Sequence, residues 1–168
     1  MSLRFALAAL GCALLLGFGF YLQYGKGLEP CPLCLVQRGF FMAVMAVCIV
    51  AAVHGPGRRG TLLYGLAAAL FALGGAAAAA RQVWLQHLPA DKVPQCGPDL
   101  YFMLENFPFA RTLKTLLSGT GECAAVDWTF LGLSIAEWSL ACFAALFLYG
   151  LWLARSRWTR AASSSASR

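Results

Sequence analysis

Four apolar blocks, each about the length of a membrane span and parted by short polar breaks, constrain this chain more than any other feature. They run over about 5–24, 33–53, 61–85 and 130–154. About 20 apolar residues in helical form cross a bilayer's hydrocarbon. Backbone N–H and C=O groups have no water to pair with there, so each block is expected to be a helix. Only 12% of the 168 residues are charged, against about a quarter in soluble domains, which leaves room for one membrane domain over 1–168 and no soluble one. The predicted fold class is an all-α membrane protein, a four-transmembrane-helix bundle. Two outer loops connect the spans, at about 25–32 and 86–129, and a tail follows over 155–168. No internal repeat is visible. Gly17, Gly19, Gly74, Gly75 and the alanine run 76–80 read as small residues that let helices approach closely.

The first block has a competing reading as a signal peptide, because Arg4 precedes it and Ala9-Leu10-Gly11-Cys12 faintly resembles a lipoprotein cleavage site. Only about six apolar residues separate Arg4 from Gly11, fewer than the roughly 7–15 of a signal core, and the run continues to Tyr24. A membrane span is the better reading.

Charge sets the expected orientation. Four spans put both termini and the link 54–60 on one side, which carries Arg4, Arg58, Arg59, Arg155, Arg157, Arg160 and Arg168 and no acid. All seven acids fall on the other side, with Lys26, Arg38, Arg81, Lys92, Arg111 and Lys114. Arginine and lysine are retained in the cytoplasm, so both termini are expected there and the outer loops on the opposite side of the membrane. The net charge of +6 then reports topology and contact with the lipid bilayer. No basic patch interleaved with aromatics points to nucleic acid. The serine-rich end, 161–168, reads as a disordered tail.

The seven cysteines divide in the same way. Cys12, Cys48 and Cys142 lie inside predicted spans and read as small hydrophobic packing residues. The other four lie on the outer side, where thiols can be oxidised and remain so. Cys31 and Cys34 form Cys-Pro-Leu-Cys at the start of the second span. Such a pair closes almost no chain and makes a poor staple, whereas a thiol near a helix start is a good redox group. Zinc needs two further ligands and haem attachment needs His where Leu35 stands, so neither metal nor haem is expected. Cys96 and Cys123 occupy the second loop. A plain structural disulfide, worth about 3–4 kcal/mol, explains that pair equally well by itself. Beside a Cys-x-x-Cys, it also gives thiol–disulfide exchange somewhere to go.

Arg38 follows Cys34 by four residues, one helical turn deeper. An intramembrane arginine marks a functional hypothesis, against the alternative of a snorkelling interfacial anchor. Functionally, its charge favours a thiolate at Cys34 and a developing oxyanion on an acceptor. Gln37 beside it signals little. In the long loop, 108–118 reads as a short helix with Phe109, Leu113, Leu116 and Leu117 on one face and Gly119 as its stop, either lying on the membrane surface or packing on the bundle. His87 stands where the third span meets this loop, as a structural residue or an acceptor ligand.

Together these residues resemble the disulfide bond formation protein B (DsbB) family over nearly the whole chain. The resemblance is carried by four spans, Cys31-Pro32-Leu33-Cys34-Leu35-Val36-Gln37-Arg38, the loop pair Cys96 and Cys123, and Gly121-Glu122-Cys123 followed by Trp128-Thr129-Phe130-Leu131-Gly132-Leu133. The stretch from His87 to Cys96 looks shorter than in some members. The resemblance implies a membrane thiol oxidase with Cys31, Cys34, Cys96 and Cys123 catalytic. Cys96–Cys123 would take electrons from a periplasmic thioredoxin-fold (DsbA-like) partner, and Cys31–Cys34 would pass them to a membrane quinone, ubiquinone or menaquinone. Cys34, Arg38 and His87 would face that quinone. A vitamin K epoxide reductase-like oxidase is a rival, but its Cys-x-x-Cys falls late in the chain and this one falls early. A non-catalytic four-span scaffold stapled by disulfides leaves Arg38 and the Cys-x-x-Cys unexplained.

Overall fold

The computed structural model describes residues 2–94, 106, 108, 119–126 and 128–155. Cys96, the 108–118 helix and the 161–168 tail expected from the sequence lie outside the described residues, apart from Pro108. Four long helices dominate: α1 (Ser2–Lys26), α2 (Pro32–His54), α3 (Arg58–Gln86) and α4 (Ile135–Arg155). Each is long and apolar enough to cross a membrane. The first three begin and end one to three residues outside the spans read from sequence. Gly55, in the left-handed conformation, ends α2 by donating its N–H to Ala51 O, as a C-terminal glycine does.

The fourth helix starts at Ile135 rather than near 130. Thr129–Phe130 pairs antiparallel with Leu133–Ser134 through a two-residue turn, in which Leu131 and Gly132 both have positive φ, at 53° and 80°. That is the geometry of a turn whose twist matches two strands. Ser134 then opens α4 by a reciprocal cap: its N–H donates to Glu137 Oε2 at 2.7 Å and its Oγ accepts the Glu137 N–H at 3.3 Å. Hydropathy alone carried the expected span across this hairpin because Phe130, Leu131 and Leu133 are as apolar as the helix behind them.

Consecutive helices pack side by side, with α3 against both α2 and α4. The bundle closes where Tyr149 Oη donates to Arg4 O at 3.0 Å and the Arg4 guanidinium lies over the Trp152 ring. Its core takes Phe5 and Leu16 from α1, Phe41 and Val44 from α2, Ala72 and Ala79 from α3, and Phe143 and Leu153 from α4. Phe41 and Phe143 stack with ring centres 3.9 Å apart. Cys12 and Cys48 are buried in this core and Cys142 packs against it, in keeping with their reading as packing residues. Lipid-facing positions stay apolar and exposed, among them Leu7, Leu14, Leu70 and Leu148.

Small residues decide how closely the helices meet, though only some of those expected take part. Gly74 and Gly75 lie under the rings of Phe40 and Phe143. A Cβ on Gly17 would meet nothing within 4 Å, and one on Gly19 would make only ordinary contact with the Arg38 side chain. The tightest backbone approach belongs instead to Gly65 of α3 and Gly150 of α4. A Cβ on either would stand 2.9 Å from the other's carbonyl oxygen, and rigid backbone cannot yield cheaply. Gly65→Ala should therefore cost about 1–3 kcal/mol, the usual price of overpacking. Gly17→Ala should be neutral or slightly stabilising. Unfolding midpoints in mixed detergent would compare them, and an unchanged midpoint for Gly65→Ala would remove the close contact from the account.

Candidate functional site

The polar chemistry collects at one end of the bundle, at the start of α2, the end of α3 and the short 3₁₀ turn Gly121–Ala124. Cys31 is the N-cap residue of α2. It is extended (φ −64°, ψ 162°), and its sulfur accepts the Cys34 N–H at 3.4 Å, with Pro32 opening the helix behind it. Sulfur thus occupies the place usually taken by a serine or aspartate oxygen. The helix turn brings Cys34 Sγ to 2.8 Å from Cys31 Sγ. Both residues are half-buried, and both stand as thiols.

Cys123 comes to them from the second loop. It is fully buried, packed with Leu33 and Leu85, and Cys31 borders the same cluster. Gly119 (φ +76°) allows the approach, since a Cβ there would meet Leu85 and Leu33 at 2.5 and 2.9 Å. Cys31 and Cys123 pack together, and their interaction moves the two thiols in opposite directions. Hydrogen bonding to Cys123, then to Cys34, pushes the Cys31 thiol far up from its ordinary value. Cys123 is held down at about 6, first by Cys31, then by N–H groups of Leu33 and Thr120, against the opposing effect of burial. The buried Thr120 side chain adds a smaller lowering.

A buried amide pair lies beneath the two α2 cysteines. Gln82 of α3 reaches both sulfurs with Nε2, Cys31 at 3.4 Å and Cys34 at 3.3 Å. Its Oε1 accepts Gln37 Nε2 at 2.6 Å. Each glutamine is only 3% exposed. Sequence reasoning passed over Gln82 entirely and discounted Gln37. Yet two polar residues inside otherwise apolar spans are a signal in their own right.

Arg38 sits one turn below Cys34 as expected, but its guanidinium turns to α1. It donates to Gln23 Oε1 and, at 3.0 Å, to Gly19 O, and its charge lies 5.0 Å from the centre of the Phe20 ring. So α2 presents Cys34 and Gln37 to α3 and Arg38 to α1. His87 caps the end of α3, exposed, with Nδ1 2.8 Å from Val83 O. Among the described residues no cluster of His, Cys, Asp or Glu could hold a metal ion.

The chain matches the family described as disulfide bond formation protein DsbB over residues 2–153. It belongs to the DsbB family. A Disulfide bond formation protein B of Methylococcus capsulatus is 52% identical over 147 residues, covering 88% of this chain and 90% of that protein. One from Hahella chejuensis is 56% identical over 137 residues, with 82% and 83% covered. Disulfide bond formation protein B 1 of Pseudomonas aeruginosa is 48% identical over 141 residues, with 84% and 86% covered. The four-helix membrane bundle is the architecture expected of this family, and membership makes the chain a multi-pass membrane oxidoreductase of disulfide bond formation.

The lowered Cys123 thiol gives a direct test. In the reduced chain its thiolate should persist as pH falls to about 6. Its stabilising contribution should be fully present above the ordinary thiol value and lost as pH falls through about 6. Ultraviolet thiolate absorbance should show a step near that pH, absent in Cys123→Ala and moved upward in Cys31→Ala. A step that stayed in place without Cys31 would mean that another group holds Cys123 down.

Proposed function

We propose that the chain is a protein-dithiol:quinone oxidoreductase that reoxidises a periplasmic thioredoxin-fold, DsbA-like partner and passes the electrons to membrane quinone. The observation that carries this reading is the position of Cys31, whose sulfur lies 2.8 Å from Cys34 Sγ and which packs against the buried cluster that holds Cys123. A sulfur shared by two pairs is what exchange between them requires.

The steps balance as follows. A thiolate of the reduced partner attacks Cys96 of a Cys96–Cys123 disulfide, forming a mixed disulfide and releasing the Cys123 thiolate. Cys123 attacks Cys31 of the Cys31–Cys34 disulfide, forming Cys31–Cys123 and releasing the Cys34 thiolate. The partner's second thiol displaces Cys96 and leaves as the oxidised partner. Cys96 then attacks Cys123, restoring its own disulfide and freeing Cys31. Cys31 and Cys34 finally give up two electrons as their disulfide re-forms. A bound quinone, ubiquinone or menaquinone, supplies the acceptor, becoming quinol with two electrons and two protons.

The residues suit such an acceptor. Cys34 is half-buried rather than sealed, and Arg38 holds a fixed cation one turn below it beside the exposed Phe20 ring. Arg38, with His87 at the loop boundary, would hold the quinone. The proposed orientation has both termini cytoplasmic and the cysteines periplasmic in the inner membrane, following the arginines that the described part carries at the opposite end: Arg4, Arg58, Arg59 and Arg155.

Right-side-out membrane vesicles should oxidise an added reduced DsbA-like protein only when quinone is present, and everted vesicles should not. Cys96→Ser or Cys123→Ser should abolish partner oxidation while leaving quinone able to oxidise Cys31–Cys34. Normal turnover in either variant would reduce the loop pair to a staple.

Arg38→Met should raise the apparent KM for quinone about tenfold or more, the loss of roughly one charge-assisted hydrogen bond, with little change in the KM for the partner. Arg38→Lys should restore only part, since an ammonium lacks the planar donor fork. Unchanged quinone kinetics in a folded Met variant would make Arg38 a tie between α1 and α2.

A further inference from the structure

The group that touches both α2 sulfurs is a neutral amide, and its orientation is imposed from behind. Gln37 Nε2 can only donate, so at 2.6 Å it holds Gln82 by the carbonyl oxygen. That leaves Gln82 Nε2, with its two N–H bonds, nearest Cys31 Sγ and Cys34 Sγ at 3.4 and 3.3 Å, while the protonated Cys34 thiol can also donate to Gln82 Oε1 at 3.6 Å, a bond that the thiolate gives up. A thiol or disulfide sulfur is a weak acceptor and gains little from such a donor. A thiolate gains much more, because hydrogen bonds to an ionised acceptor are the strong ones and low dielectric strengthens them. The arginine one turn away spends its guanidinium on Gln23, Gly19 and Phe20.

We infer that Gln82 is a catalytic residue of the Cys31–Cys34 centre, donating its amide N–H to whichever of the two sulfurs carries the negative charge, and that Gln37 is the positioning residue that keeps that amide from turning over. Both side chains are 97% buried by their 3% exposure, where an amide without partners would be costly. This arrangement stabilises the anionic, reduced side of the couple without adding a charge. One donor within reach of both sulfurs can follow the charge from Cys34 to Cys31 as the bonds exchange. The inference rests on Cys31–Cys34 being the redox pair of the proposed function.

Full-length protein in detergent, equilibrated with reduced and oxidised glutathione, tests it. Without the donor the reduced form is less stable, so Gln82→Met should shift the equilibrium toward the Cys31–Cys34 disulfide by about tenfold, roughly 30 mV for a two-electron couple. In the reduced chain, alkylation of Cys34 followed by mass spectrometry should slow by about the same factor. Alkylation of Cys142, elsewhere in the bundle, should not change. Gln37→Met, which touches neither sulfur, should shift both readings the same way by a smaller factor. The unaltered chain offers a measurement that no folding defect can obscure: the Gln82 side-chain amide resonances should move downfield when the disulfide is reduced. Equilibrium and alkylation within twofold of the parent in folded Gln82→Met, or amide resonances that stay in place, would overturn the inference. Failure of the unaltered chain to exchange with a dithiol or respond to quinone would instead overturn the proposed function.

Discussion

Hydrocarbon offers no hydrogen bonds, and nearly everything in this protein follows from that. Four helices satisfy their own backbones, and side chains that need partners must find them within the bundle or at its ends. The buried polar side chains of the described spans, Gln37, Thr61 and Gln82, are all paired, and so is Arg38. Gln37 meets Gln82, Arg38 meets Gln23 and the Gly19 carbonyl, and Thr61 returns its hydroxyl to Gly57 O at 3.0 Å. The same economy gathers the sulfurs of Cys31 and Cys34 at a helix start, where the first-turn N–H groups lack intrahelical partners.

Packing then supplies what polarity cannot. Lipid tails are as apolar as leucine, so helices gain from meeting only where they fit closely. The α3–α4 contact rests on two glycines with interlocking backbones, and the α2–α4 contact on the stacked rings of Phe41 and Phe143. Because α3 is held on both sides, Gln82 near its C-terminal end is carried to a fixed place beneath the sulfurs of α2.

Much of this was legible in the residues. Unbroken apolar length marked the spans, and the spacing of Cys31, Cys34 and Arg38 marked the end where the polar side chains gather. What escaped was direction. Positions four apart share a helix face only approximately, and a long side chain can swing to either neighbour, so no spacing rule sends Arg38 to α1 and Gln37 to α3. Gln82 escaped because it meets Cys34 across 48 positions of sequence. The start of α4 was different. Ser134 and Glu137 stand at capping-box spacing and Leu131-Gly132 sits between strand-forming residues, so local chemistry held the information that average hydropathy blurred.

Gly119 has a consequence for selectivity. By admitting no Cβ between Leu85 and Leu33, it pins the loop four positions before Cys123, making that thiol's approach to Cys31 intramolecular over a short tether. Tethers of this kind give effective concentrations on the order of millimolar or higher. A free small thiol arriving by diffusion must compete with that local concentration, and must do so against a sulfur already in contact. Under the proposed function, the loop would thus keep oxidising equivalents for whatever docks on the loop itself and away from dissolved thiols that drift past.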